Sequence, residues 1–188
     1  MADRAGLLSA VVAASVLPVH ASEVHSLDVT RSDDRFVLVA DASLNARPEP
    51  VFQVLTDYDG LVRLSSKTIE SRRIDRTEEG NPVVYTVNAG CWLVFCTTVK
   101  RTEVYVESPY EHLVATVDPE RSSVKYGRQE WALQPEGDGT RLQYTLELEP
   151  EFWVPPAIGT FVFKNYMKRG GQRVLDRIEA IAYEMDAP

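Results

Sequence analysis

The chain has little of what metal and redox chemistry needs. Its 188 residues include two cysteines and three histidines, and the cysteines, Cys91 and Cys96, form a lone C-x4-C. No C-x-x-C pair exists, so neither a zinc site nor a recognised redox motif is expected. The chain also lacks G-x-S-x-G, G-x-G-x-x-G and P-loop patterns, which removes the familiar nucleophile elbow and phosphate cradles. Positive charge is scarce: 20 Lys and Arg stand against 28 Asp and Glu, a net charge of -8. Binding to a phosphate backbone needs clustered cations, so nucleic acid is not an expected partner. Electrostatic adhesion to an acidic membrane is disfavoured for the same reason. Neither point touches an apolar ligand, which binds by burial.

No apolar run reaches the ~20 residues of a spanning helix. The longest lies in "GLLSAVVAASVLPVHA", apolar from Gly6 to Val19, with Val19 and Ala21 at the small-residue positions of an A-x-A-like cleavage site. Residues 1–21 are therefore read as a cleaved signal peptide, despite the weak n-region "MADR". The expected location is the periplasm or the exterior, where disulfides persist.

What is present fits one globular domain, assigned to residues 34–186, with 44% hydrophobic and 26% charged residues. Residues 22–33 are polar and read as an irregular lead-in. "RFVLVADASLN" reads as a strand, and "PEPVFQVLTDY" and "DGLVRLSS" as two short helices, with Pro48 or Pro50 in the first turn. Strands follow. "EGDGT" is a hairpin signal, and in "RLQYTLELEP" Leu142, Tyr144, Leu146 and Leu148 alternate with polar residues, as on a sheet with one covered face. From Pro155 and Pro156 onward, Ile158, Phe161, Val162, Tyr166, Val174, Ile178, Ile181 and Met185 recur at helical spacing. Gly170 and Gly171 interrupt that helix and are read as allowing a bend or a close approach to the sheet. The order implies an α+β fold: a curved antiparallel sheet of six to seven strands with helices on one face.

This order, with "VFQVLTDYDGLVRLSS" and the aromatic-Pro-Pro opening of "FWVPPAIGTFVFKNYMKRGGQRVLDRIEAIA", resembles the START-like (SRPBCC, Bet v 1-like) superfamily, and within it the polyketide cyclase and coenzyme-Q-binding group. The resemblance implies a helix-grip fold with a cavity between the sheet and the C-terminal helix, holding a lipid, quinone or other apolar molecule. The expected function is that of an exported protein binding a hydrophobic small molecule or lipid. The alternatives are a polyketide cyclase or aromatase, and an interaction module without ligand. No metal or organic cofactor is implied.

The residues expected to line the cavity are Tyr85, Trp131, Leu142, Tyr144, Leu146, Phe161 and Tyr166. No catalytic constellation stands out. "DYD" (Asp57–Asp59) reads as a helix cap plus a loop charge, and "KRTE" and "SRRIDR" as cross-strand pairs on the wet face, with Arg72 or Arg73 as the exceptions able to reach a polar head group. A cluster of Asp57, Arg128 and Tyr144 at one cavity would favour an enzyme.

"GCWLVFC" holds both cysteines. In an unbroken strand Cys91 and Cys96 would be roughly 16 Å apart at ~3.3 Å per residue, beyond the ~7 Å a disulfide spans. A chain reversal is expected here. Placed at 92–95, it makes a Cys91–Cys96 disulfide feasible; displaced, it leaves two separate thiols. An apolar tip of Trp92, Leu93, Val94 and Phe95 has three uses: covering the cavity mouth, touching a membrane interface peripherally, or meeting a partner.

Overall fold

The computed structural model describes residues 22–92, 95–151 and 156–186, without the side chains of 91, 92, 95, 156–159, 162 and 166. The expected signal peptide lies outside the described residues.

Eight antiparallel strands form one sheet, in the order β1-β2-β8-β7-β6-β5-β4-β3. They are β1 (Glu23–Ser32), β2 (Arg35–Leu44), β3 (Thr68–Arg76), β4 (Pro82–Trp92), β5 (Phe95–Ser108), β6 (His112–Val117), β7 (Val124–Glu136) and β8 (Gly139–Pro150). Between β2 and β3 come helix α1 (Pro48–Thr56) and a single 3-10 turn, Leu61–Arg63; the long helix α2 (Pro156–Asp186) closes the chain. This is the expected helix-grip architecture.

Strand β1 is a correction. The polar stretch expected to be irregular pairs along its length with β2, from Glu23 opposite Ser43 to Ser32 opposite Arg35. It was missed because an edge strand needs apolar residues on one face only, and a bulge between Val24 and Ser26 breaks the alternation. Only Val29 is buried there, with Val24, Leu27 and Arg31 half-buried.

The turn after β7 follows its composition. Glu136 pairs with Gly139, leaving Gly137–Asp138 as a two-residue turn in which Gly137 takes a φ of 60°. Few residues other than glycine adopt that conformation without strain.

Alternation along the strands sends one set of side chains toward the helices. Two apolar clusters result. In the larger, α1 (Val51, Phe52, Val54, Leu55) and the C-terminal part of α2 (Leu175, Ile178, Ala182) pack on Leu113, Leu133 and Leu142. In the smaller, Phe163 and Met167 of α2 pack on Leu38, Leu146 and Leu148. Burying one such aliphatic side chain stabilises by about 1.5–3 kcal/mol, so the two clusters fix α2 across the sheet. Gly170 and Gly171 lie between the two contact regions. A Cβ at Gly170 would meet nothing within 4 Å and one at Gly171 only an ordinary contact with Leu27, so close approach is not their reason.

The β4–β5 reversal is tighter than expected. Cys91 pairs with Cys96 and Trp92 with Phe95 in the strand register, so the ladder runs on through residues 92 and 95. The two cysteines lie opposite each other, as the reversal placed between them requires, and only the extent of the tip is corrected: Trp92 and Phe95 belong to the ladder. The expected disulfide depends on the Cys91 side chain, and the uses of the tip on the side chains of 92–95. Those side chains lie outside what the structure describes; Cys96 is not a free thiol.

Candidate functional site

Strand β5 brings Arg101, Glu103 and Tyr105 to the face covered by the helices, because residues two apart share a face. Its neighbours complete the patch. Thr86 of β4 lies opposite Arg101, Ala115 of β6 opposite Tyr105 and Gln129 of β7, and Tyr144 of β8 opposite Trp131. A polar group thus sits in the middle of an apolar face, beside both clusters.

Its members are joined. Glu103 is 0% exposed, and Arg101, whose side chain is 17% exposed, places Nη1 3.4 Å from Glu103 Oε1. Gln129 Nε2 donates to the same oxygen at 2.6 Å, and the Tyr144 hydroxyl donates to Gln129 Oε1 at 2.8 Å. Tyr144 also touches Trp131, ring centroids 5.2 Å apart; Trp131 stacks with Tyr105 at 6.4 Å, and Tyr105 meets Tyr58 at 4.7 Å. A chain of four rings borders the polar group. Trp131 and Tyr144 are half-buried, so this inner face keeps accessible surface.

The electrostatics follow from burial. Burial works against the Arg101 charge, but Glu103 outweighs it, with Tyr105 and Tyr144 adding, and holds the guanidinium above its ordinary pKa. Burial raises the Tyr144 hydroxyl, Arg101 opposing and Glu103 adding. Burial, then Glu103, also raises Tyr105, with Arg101 opposing. Both phenols are therefore neutral donors. Three buried polar atoms remain without a hydrogen-bond partner in this patch: Glu103 Oε2, Arg101 Nε and Thr86 Oγ1. Buried polar groups are nearly always paired, and a partly satisfied buried network is costly, so three open atoms at one place make this patch the candidate site.

The expected residues divide. Trp131 and Tyr144 belong to the patch; Leu142 and Leu146 are buried in the larger and smaller clusters beside it. Tyr85 does not join them. It lies opposite Thr102 on the outer face, under the Arg72 guanidinium. Phe161 is 71% exposed, and Met185 is exposed too, because the inward stripe of α2 runs through Phe163, Met167, Leu175 and Ile178 instead. The Tyr166 side chain lies outside the described residues. Asp57 pairs with Arg63, and Arg128 with Glu130, so neither meets Tyr144. Asp59 accepts from the Arg73 backbone N–H. Arg73 borders a separate surface cleft of about 310 Å³ with Thr56, Tyr58, Arg76 and Glu107. Sequence reasoning missed Arg101, Glu103 and Gln129. "KRTE" was assigned to the wet face, and only the register against β6 and β7 places it inside.

A sheet gripping a long C-terminal helix, with a polar patch set into the apolar face between them, defines a helix-grip protein. The chain belongs to the family described as polyketide cyclase / dehydrase and lipid transport, whose model matches residues 35–182. No curated protein matches it. Among solved structures, the Zhui aromatase/cyclase from Streptomyces sp. R1128 is similar at 14% identity, covering 81% of this chain and 96% of that one, TM-score 0.65. TTHA0849 from Thermus thermophilus is similar at 18% identity, covering 80% and 99%, TM-score 0.62. A STAR-related lipid transfer protein from Xanthomonas axonopodis is similar at 14% identity, covering 84% and 98%, TM-score 0.57. At these identities the likeness is one of fold.

Proposed function

We propose that the protein is a cyclase-type enzyme that takes an apolar, polyketide-like molecule between the sheet and α2 and sets its oxygen functions against Arg101, Glu103, Gln129 and Tyr144. One observation carries this reading: a fully buried carboxylate, beside a guanidinium, with one oxygen open, in the middle of an apolar face. In this reading the carboxylate takes a proton from the carbon next to a carbonyl, while the guanidinium stabilises the enolate oxygen that receives the electron pair. The enolate carbon then attacks a second carbonyl of the same molecule and closes the ring. The Glu103 proton passes to the new alkoxide, and loss of water leaves the unsaturated ring. The family description and the aromatase/cyclase among the similar folds support this choice.

The test is incubation with a synthetic poly-β-ketone mimic, followed by mass spectrometry for a cyclised product one water lighter. Glu103→Gln is expected to lower the rate about 100-fold or more. A wild-type protein that binds the mimic and returns it unchanged ends the enzyme reading. It would leave a second one, carriage without chemistry, which the two flanking apolar clusters and the likeness to a lipid transfer protein favour. Native mass spectrometry of the purified protein would then find an intact lipid.

Export belongs to the proposal under either reading. Ser22, the residue after the expected cleavage site, is buried; its hydroxyl donates to Asp176 at 2.5 Å, and Gln172 donates to its carbonyl at 2.8 Å. A chain starting at Ser22 would keep every described contact of β1 and set its new ammonium near the Asp176 carboxylate.

A further inference from the structure

We infer that the polar group this site reads is a neutral hydroxyl on a flat ring system, a phenol or an enol, which donates to Glu103 Oε2 and accepts from Arg101 Nε. The inference rests on the reading that a molecule enters between sheet and helix. It follows from which valences the network has used. Glu103 Oε1 accepts from Gln129 and faces Arg101, and the Gln129 oxygen takes the Tyr144 proton, which fixes the Gln129 amide with its nitrogen toward Glu103. Among the fully buried atoms of this ion pair, what stays open is one that can only accept, Glu103 Oε2, and one that can only donate, Arg101 Nε.

A hydroxyl offers one proton and two lone pairs, and so answers both. An ether, or a ketone that does not enolise, brings lone pairs alone and leaves the carboxylate oxygen unpaired, whereas a β-ketone presents a hydroxyl in its enol form. A phosphate or carboxylate head group is worse. It adds negative charge beside Glu103, and the one cation of the patch, Arg101, is already matched by that residue. Thr86 Oγ1, which can give or take a proton, is open in the same patch and suits a second oxygen on the same molecule. The shape is set by the linked, half-buried rings of Trp131 and Tyr144, backed by Tyr105, which offer stacking surface rather than the round bore an acyl chain needs.

The experiment measures binding of three probes to the purified protein by calorimetry: 2-naphthol, 2-methoxynaphthalene and 2-naphthyl phosphate. They share a ring system and differ in having a donor, only an acceptor, or an anion. In the wild type, 2-naphthol is expected to bind about tenfold tighter than the ether, the worth of one hydrogen bond to a charged group, with the phosphate weakest. Glu103→Gln is expected to shrink the naphthol preference to about twofold while leaving the ether unchanged, because the amide replaces the open carboxylate. Equal binding of naphthol and ether, tightest binding of the phosphate, or an undiminished preference in a folded Glu103→Gln protein overturns the inference and leaves the ligand-site reading in place. If Glu103→Gln does not fold, the ranking of the three probes on the wild type decides alone. Failure to bind any probe also overturns the inference. Native mass spectrometry then separates the two claims: a bound lipid keeps the ligand site, and an empty protein removes both.

Discussion

Glu103 is the costliest side chain on the inner face, since a carboxylate fully withdrawn from water is tolerated only beside a charge of opposite sign. Glu103→Ala leaves Arg101 uncompensated and is expected to cost about 3–5 kcal/mol in a denaturant titration. Replacing both, Glu103→Leu with Arg101→Met, is expected to restore stability to within about 1 kcal/mol of the wild type or better, because matched apolar side chains often replace a buried pair without loss. If the pair exists for stability, the double variant remains destabilised and keeps its ligand; if it exists for function, the fold recovers and turnover or binding does not. These residues were hard to read from sequence. In "CTTVKRTEVYVES" one face carries Arg101, Glu103 and Tyr105 and the other Lys100, Thr102 and Val104. Neither set is apolar throughout, and what selects the first as inner is the pairing of β5 with β6. Tyr85 went wrong for the same reason, one position out of phase.

Helix α2 was legible as an element but not in its phase. Its length, its proline at the start and its apolar spacing are all in the sequence; that Phe163 and Met167 face inward and Phe161 does not depends on the sheet it crosses. Gly170 gives a direct measurement of what the helix needs there. With no heavy atom within 4 Å of an added Cβ, Gly170→Ala is expected to raise stability by about 0.5–1 kcal/mol, read as a higher Tm. A loss of stability instead would restore the bend as the reason for the glycine. On the outer face, Arg128 hydrogen-bonds Glu130 and, with His112 helping at 2.7 Å, holds its carboxyl below the ordinary 4.5. A carboxyl depressed in the folded state stabilises fully above its unfolded pKa and loses that contribution as pH falls through the folded one. Stability is therefore expected to drop as the medium is acidified below about pH 4.5, and Glu130→Gln, which cannot titrate, to flatten that limb in melting curves taken from about pH 6 to about pH 3. A wild type and variant with parallel acid limbs would show that Glu130 carries none of it.

At the scale of the whole molecule, β1 decides where the domain begins. The strand closes the free edge of β2 and buries its own Val29, and Ser22 just before it ties to Asp176 and Gln172 of α2. A chain starting at Ser22 is accordingly expected to melt within a few degrees of the full chain, because none of its described contacts is lost. A chain starting at Asp34 loses the pairing along β1 and the burial of Val29, about 2 kcal/mol for that side chain alone, and leaves β2 as a bare edge. It is expected to melt markedly lower and to associate on heating. The same comparison bears on export. Intact mass of the protein recovered from an exporting host is expected to correspond to a chain beginning at Ser22. Cleavage a few residues later would remove the Ser22 anchor and lower the Tm of the recovered protein, and a mass that still includes residues 1–21 would refute the processing proposed. The composition of "SEVHSLDVTRSDD" does not announce a strand, since five of its residues are charged. Its role is visible only once β2 is seen to need a partner on one side and α2 an anchor on the other.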